Sequence, residues 1–321
     1  MRRELFSFTK LVDNRYTRPI KQSVVKGLAA RHASRKMLNG YYGLLSDGAR
    51  ARFHERYAKI FRNHKIRLAD GNWSVEFNGC SISLPLRDDW SWLDWDAAVS
   101  IVGHDIEIKQ TYLTLIESEQ RPVLFVDVGA NYGTHSILFL SAGIPVVAFE
   151  PNPICRPYFE TVCNMNGLVG RWEQVAIGNT SGEVELVYPE RETWCGSISP
   201  DAISVLRNGG RATVDTQRVM IKKLDDYINE IGAANVLIKI DVEGYEREVF
   251  KGASEFLRRF RPRLIFESIK DQNRESTFQL LKELDYKIRC LPLDRSETSL
   301  GLALLEFCES RDTNFLAQVM N

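Results

Sequence analysis

No two of the six cysteines stand at C-x-x-C spacing; Cys80, Cys155, Cys163, Cys195, Cys290 and Cys308 are scattered through 321 residues. Structural zinc sites need paired ligands, and stapled secreted domains need far more cysteine, so both classes are excluded. Reduced thiols in a cytoplasmic protein are the expectation. Net charge is also missing, with 42 basic against 42 acidic side chains. The charged start Met1-Arg-Arg-Glu-Leu-Phe6 has no apolar run behind it, so no signal peptide is read. One stretch, Val128 to Phe149, runs for 22 residues without Lys, Arg, Asp or Glu. It is long enough to span a bilayer. Three glycines, Pro145, Asn131 and His135 interrupt it, however, and it divides into strand-like and helix-like pieces, so it is read as buried fold.

What is present is an ordinary globular composition, 44% hydrophobic and 26% charged. The zero net charge hides an asymmetry. Residues 1–70 hold 17 basic and 5 acidic side chains, and the remainder holds 25 and 37. Helical segments are expected near 20–38 and 47–62 in the basic front. Alternation at Trp73, Val75 and Phe77, then Ile82, Leu84 and Leu86, predicts a hairpin over 72–87. A Trp90, Trp92, Trp95 cluster follows, read as packing of a cap rather than a sugar-stacking surface, and then a helix over 108–118.

From Arg121 onward apolar runs alternate with helical periods. Strands are expected at 123–127, 145–150, 172–177, 236–241 and 263–267, with a local strand at 184–188 and a polar excursion over 190–218. Helices are expected at 134–142, 157–165, 223–231, 244–257 and 274–284. The last two runs, Tyr286–Leu291 and Leu302–Cys308, are separated by too few residues for a helical crossover and should be antiparallel neighbours. The pattern predicts an open, helix-covered sheet, in which ligands bind beyond the carboxyl ends of the strands. Chemistry is therefore sought at Asp127, Glu150, Gln174 to Ala176, Asp241 and Glu267.

The strongest local signal is Val126-Asp-Val-Gly-Ala-Asn-Tyr-Gly133. Its glycines permit a sharp turn and close approach of a ligand to bare backbone, and the next helix offers free N–H groups. Glu150 ends the following strand, where a carboxylate can accept both ribose hydroxyls. The loop lacks the Gly-x-Gly-x-x-Gly dinucleotide fingerprint, and Asp127 just before it suits the ammonium of an amino-acid moiety better than a pyrophosphate. These residues favour S-adenosylmethionine over NAD.

With these residues in place, the chain resembles the FkbM-type family of S-adenosylmethionine-dependent methyltransferases. The resemblance is carried by Asp127-Val-Gly-Ala-Asn-Tyr-Gly133, Phe149-Glu-Pro-Asn-Pro153, Val175-Ala-Ile-Gly178 with Gly182, and Lys239-Ile-Asp-Val-Glu-Gly-Tyr-Glu246 with Gly252. It covers about residues 121–290. It implies an α/β class I methyltransferase (Rossmann-like) fold, a seven-stranded mixed sheet with an N-terminal helical/β extension. By resemblance, Asp127, Gly129, Ala130, Asn131 and Gly133 line the methionine and ribose side of the cofactor. Glu150, Pro151 and Asn152 hold the ribose region, Gln174, Val175 and Ala176 border the adenine, and Asp241 adjoins the methyl group. The family acts mostly on hydroxyl groups of sugars or natural products.

An alcohol acceptor must lose its proton as the methyl bond forms. The expected bases are Asp241 and Glu243, then Glu267 and His135; Lys239 is expected to pair with a neighbouring carboxylate. Asp241 and Glu267 end adjacent strands and could share a divalent ion, but no third ligand is identified, so no metal is assigned. The domain expectation is a basic helical arm over 1–70, a β/α cap over 71–120 and the methyltransferase domain over 121–310. The expected partner is a small-molecule or glycan acceptor, with no nucleic acid, no transmembrane segment, and a homo-oligomer contact through the extension. The alternatives are an RNA or protein methyltransferase docking through the basic arm, or a non-catalytic adenosyl-ligand-binding protein.

Overall fold

The computed structural model describes residues 71–86, 105–189, 195–208, 214–270, 273–293 and 301–319, with a few isolated positions before residue 50. The expected helices at 20–38 and 47–62 and the tryptophan cluster at 90–95 lie outside the described residues, apart from those isolated positions. The chain divides into two units, residues 1–76 with 81–106, and residues 77–80 with 107–321. β1 (Gly71–Phe77) and β2 (Cys80–Leu86) pair as the expected hairpin, turning through Asn78 and Gly79 at φ 49° and 73°.

The second unit opens with α1 (Ile106–Ile116). Its sheet is laid down by β3 (Leu124–Val128), β4 (Val146–Phe149), β5 (Arg171–Glu173), β9 (Val236–Ile240), β10 (Arg263–Glu267), β11 (Tyr286–Cys290) and β12 (Asn314–Val319). Their spatial order is β5-β4-β3-β9-β10-β12-β11, with β12 antiparallel to both neighbours. This is the seven-stranded mixed sheet of the class I methyltransferase fold. β4 and β9 are buried at every position, as inner parallel strands covered on both faces must be. Helices α2 (Thr134–Ser141), α3 (Arg156–Asn166), α6 (Glu246–Gly252), α7 (Ser254–Phe260) and α8 (Arg274–Glu283) accompany the strands. The stretch 128–149 is thus a strand end, a short helix and a second strand. No helix among the described residues is long and apolar enough to cross a membrane.

Between β5 and β9 the chain inserts a separate three-stranded sheet. β6 (Ala176–Ile177), β7 (Gly182–Pro189) and β8 (Val214–Lys222) lie in the order β6-β8-β7, with α4 (Pro200–Asn208) between β7 and β8. The expected strand 172–177 therefore breaks after Glu173, its two halves joining different sheets. The expected helix 223–231 is a 3₁₀ turn, Leu224–Tyr227, followed by α5 (Ile228–Ile231).

Two expectations need correction. The run Leu302–Cys308 is not a strand: Leu304–Glu309 forms α9, and the antiparallel partner of β11 is β12. The sheet therefore continues past the expected end at 310, and α1 groups with it rather than with a 71–120 cap. The physical reason is Arg274. Its buried guanidinium donates to the carbonyls of Ser268, Phe307, Ser310 and Asp312 and stacks on the rings of Phe307 and Phe315. One charge thus satisfies the backbone where α9 turns into β12.

Phe315 is fully buried against Phe266 and Phe307. Phe315→Ala should lower the unfolding free energy by about 3–5 kcal/mol in a denaturant titration, and a loss below about 1 kcal/mol would contradict this packing.

Candidate active site

β3 and β9 run parallel, with Asp127 opposite Lys239 and Val128 opposite Ile240. Their following loops leave the same edge and cross. Asp241 donates its N–H to the Val128 carbonyl at 3.0 Å. Gly129 stands at φ 78°, and a Cβ there would lie 1.8 Å from the Asp241 carbonyl oxygen. Gly129 and Ala130 also donate their N–H groups to the Phe149 carbonyl at 3.0 and 3.1 Å. At Gly133, φ 71°, a Cβ would meet the Phe159 ring at 2.3 Å. The glycines do turn the chain, as expected. The Asp241 peptide and the Phe159 ring also approach their bare backbone.

The crossing gathers three acids at the ends of adjacent strands. Asp127 is fully buried; the Ser136 hydroxyl donates to its Oδ2 at 2.7 Å, while Oδ1 has no hydrogen-bond partner among the described residues. Burial raises its pKa, against the opposing Lys239 charge and the Ser136 bond. Glu150 takes the Asn131 N–H on Oε2 and the Asn152 N–H on Oε1, both at 2.8 Å. It therefore clamps the loop after β3 to the loop after β4, and Asn131 sits in it at φ 49°. Burial pushes the Glu150 carboxyl up to about 7 despite these two bonds. Asn152 spends its Oδ1 on the Ile154 N–H, and its buried Nδ2 has no partner among the described residues.

Beyond β9 lies a carboxylate cluster. Lys239, buried, donates to Asp241 Oδ2 at 2.8 Å, as expected of a lysine on an inner strand. Carboxylate oxygens of Asp241, Glu246 and Glu267 all lie within 4.8 Å of one another. Burial pushes Glu267 up to about 9, and the charges of Asp241, Glu243 and Glu246 push the same way. Glu246 Oε1 accepts the N–H groups of Val242 and Gly244 at 3.0 and 3.1 Å, and burial moves this carboxyl up to about 7. Glu246 supplies the third oxygen donor that the sequence reading lacked, so a divalent ion has a possible set of ligands in Asp241, Glu246 and Glu267. The signal was present: it ends the Asp-Val-Glu-Gly-Tyr-Glu segment, and a Glu five residues on can fold back onto that loop.

Glu243 belongs to the same loop at φ 53°, and its charge acts on Glu267. His135, in the first turn of α2, has its Nδ1 within 2.9 Å of the buried Tyr112 hydroxyl and its ring edge-on to that tyrosine. The structure joins it to α1. Gln174, exposed, and Val175 and Ala176, both buried, form the break between β5 and β6. The Glu150 N–H donates to the Glu173 carbonyl at 3.0 Å, which brings this break beside the Glu150 loop. Pro151 is partly exposed between Glu150 and Asn152.

The Methyltransferase FkbM domain model matches residues 127–288, half of the chain, and spans every acid described above. The chain belongs to the FkbM methyltransferase family. It is 30% identical over 162 residues to the 31-O-demethyl-FK506 methyltransferase FkbM of Streptomyces tacrolimicus, covering 43% of this chain and 62% of that protein. It is 32% identical over 149 residues to the hexuronic acid methyltransferase AglP of Haloferax volcanii, covering 45% and 55%. The chain thus spans less than two thirds of the length of these relatives. A crystal structure of methyltransferase FkbM from Methylobacillus flagellatus is similar at 17% identity and TM-score 0.38, over 73% of this chain and 56% of that one.

In this FkbM domain the contact at Gly129 leaves no room for a methyl group. Gly129→Ala combines a backbone clash with a left-handed φ, and should cost about 3 kcal/mol or more of stability in a denaturant titration. A change under about 1 kcal/mol would show that the two loops do not cross as described.

Proposed function

We propose that the protein transfers a methyl group from S-adenosylmethionine to a hydroxyl oxygen of a sugar, glycan or other hydroxylated natural product. The observation that carries this reading is a pair of buried atoms beside Glu150 that are unpartnered among the described residues, the acceptor Asp127 Oδ1 and the donor Asn152 Nδ2. Buried polar atoms without partners are rare and costly, so this pair is matched to a ligand bearing both kinds of group. An adenosyl amino acid offers an ammonium and ribose hydroxyls to the one, and ring oxygen or nitrogen acceptors to the other. Each Glu150 oxygen keeps a lone pair beyond its backbone bond, so the carboxylate can also take ribose hydroxyls. The residues present therefore fit the group.

When bound, S-adenosylmethionine supplies an electrophilic methyl, so the chain's principal task is in-line placement of the acceptor oxygen. Asp241 is anchored through Oδ2 to Lys239, which leaves Oδ1 to receive the acceptor's proton. Glu243 supports the same step from the next turn of the loop. The FkbM relatives named above act by their names on 31-O-demethyl-FK506, at an oxygen, and on hexuronic acid, which supports an oxygen acceptor.

Calorimetric titration with S-adenosylmethionine, S-adenosylhomocysteine and NAD tests the cofactor: the first two should bind, and tight binding of NAD alone would overturn the reading. Ribose hydroxyls donate to the ionised form of Glu150, so affinity should rise as pH passes through about 7. Binding should be about tenfold weaker at pH 6 than at pH 8, with Glu150→Gln flattening that difference. A wild-type affinity independent of pH would remove Glu150 from the ribose contact. In transfer assays on a panel of methyl glycosides, uronic acids and macrolides, Asp241→Asn and Glu243→Gln should each lower kcat by about 100-fold while leaving cofactor affinity largely intact. Wild-type rates in both would exclude the base assignment.

A further inference from the structure

The loop that carries Asp241 and Glu243 is held from two sides. From within, Glu246 Oε1 takes the N–H groups on either side of Glu243. From without, the Ser197 hydroxyl donates to the Glu243 carbonyl at 2.9 Å. Ser197 lies within the insert, between β7 and α4, 46 residues upstream. Its backbone exchanges two hydrogen bonds with Val187 of β7, at 2.9 and 3.0 Å. Its Oγ also accepts the Ser199 N–H at 3.0 Å, and the residue is only 2% exposed. With the oxygen's acceptor role taken by Ser199, the hydroxyl proton has one direction to point, toward Glu243.

That contact falls on a residue that needs holding. Glu243 stands at φ 53°, a conformation non-glycine residues leave unless something fixes them. Beside it the insert packs tightly on the helix that follows. A Cβ at Gly178, just after β6, would lie 2.8 Å from the Tyr245 ring, and a Cβ at Gly252 would lie 1.7 Å from the Gly178 carbonyl oxygen. The Asn179 amide also donates to Glu248 of α6. The insert is thus braced against α6 at one point and grips the strained residue at another.

We propose that Ser197 is a positioning residue of the methyl-transfer reaction: the inserted sheet uses its hydroxyl to fix the Glu243 backbone and so aim the Glu243 carboxylate at the acceptor. Through this bond the insert adds its own hold on the acceptor-side loop to those supplied by Lys239, the Val128 carbonyl and Glu246. The proposal rests on reading residues 241–246 as the transfer loop.

The test compares the full chain with Ser197→Ala, Ser197→Thr and Asn179→Ala. Hydrogen–deuterium exchange is followed in peptides covering 242–246 and 236–240, with kcat and KM on whichever panel acceptor the wild type methylates. Ser197→Ala should speed exchange over 242–246 by about fivefold, the size expected for one lost hydrogen bond, and leave 236–240 unchanged. It should lower kcat by a similar factor with cofactor affinity unmoved, and Ser197→Thr, which keeps the hydroxyl, should restore both exchange and kcat. Asn179→Ala, which loosens the brace but not the grip, should exchange over 242–246 as the wild type does. Wild-type exchange in Ser197→Ala, failure of threonine to restore it, or an equal effect of Asn179→Ala would each overturn the proposal. If the wild type methylates no acceptor, the functional reading fails, and the exchange comparison still decides whether Ser197 holds the loop.

Discussion

The site depends on one backbone contact, the Asp241 carbonyl lying where any side chain on Gly129 would begin. Two loops that leave neighbouring parallel strands are thereby pressed together at the carboxyl edge of the sheet. Because they touch there, Asp127 and Asp241 stand beside each other across two strands. The Glu150 clamp adds the third strand, and its two 2.8 Å bonds to backbone N–H groups fix the loops on either side of it. The acids are placed by main-chain geometry, with little left to side-chain freedom.

That arrangement is expensive in isolation. Asp127, Glu150, Glu246 and Glu267 are all pushed toward their protonated forms by burial, and buried Lys239 is committed to Asp241. A fold selected for stability alone would replace such groups with apolar ones. Their concentration at the strand ends, with an acceptor at Asp127 and a donor at Asn152 unpartnered among the described residues, is what the proposed cofactor site accounts for. The two buried carboxylates near 7 also give the site a titration range within physiological pH, which purely structural ion pairs do not require.

Much of this was legible in the sequence. The runs at Leu124–Val128, Val146–Phe149 and Val236–Ile240 are so apolar that inner parallel strands were the natural reading, and their terminal acids marked the site. The last strand was misplaced because Leu302–Cys308 is as apolar as a strand. Its helix α9 is instead decided by Arg274, a distant charge that satisfies four carbonyls and that no local period reveals. The split of 172–177 between two sheets was likewise invisible, since Trp172 through Ile177 reads as continuous. Glu246 and Ser197 were also missed. Both act on backbone groups of the loop: Glu246 folds back onto N–H groups two and four residues earlier, a spacing the Asp-Val-Glu-Gly-Tyr-Glu segment does carry, whereas Ser197 acts from 46 residues away and leaves no spacing to recognise. The basic residues before position 71 remain a sequence observation, an excess of positive charge whose partner the site does not specify.

The most direct measurement is a crystal structure of the complex with S-adenosylhomocysteine. Its ribose hydroxyls should lie within hydrogen-bond distance of the Glu150 carboxylate, its amino group should reach Asp127 Oδ1 directly or through one water, and its sulfur should face Asp241. A nucleoside bound at any other edge of the sheet, or Asp127 and Glu150 without contact to it, would contradict the account.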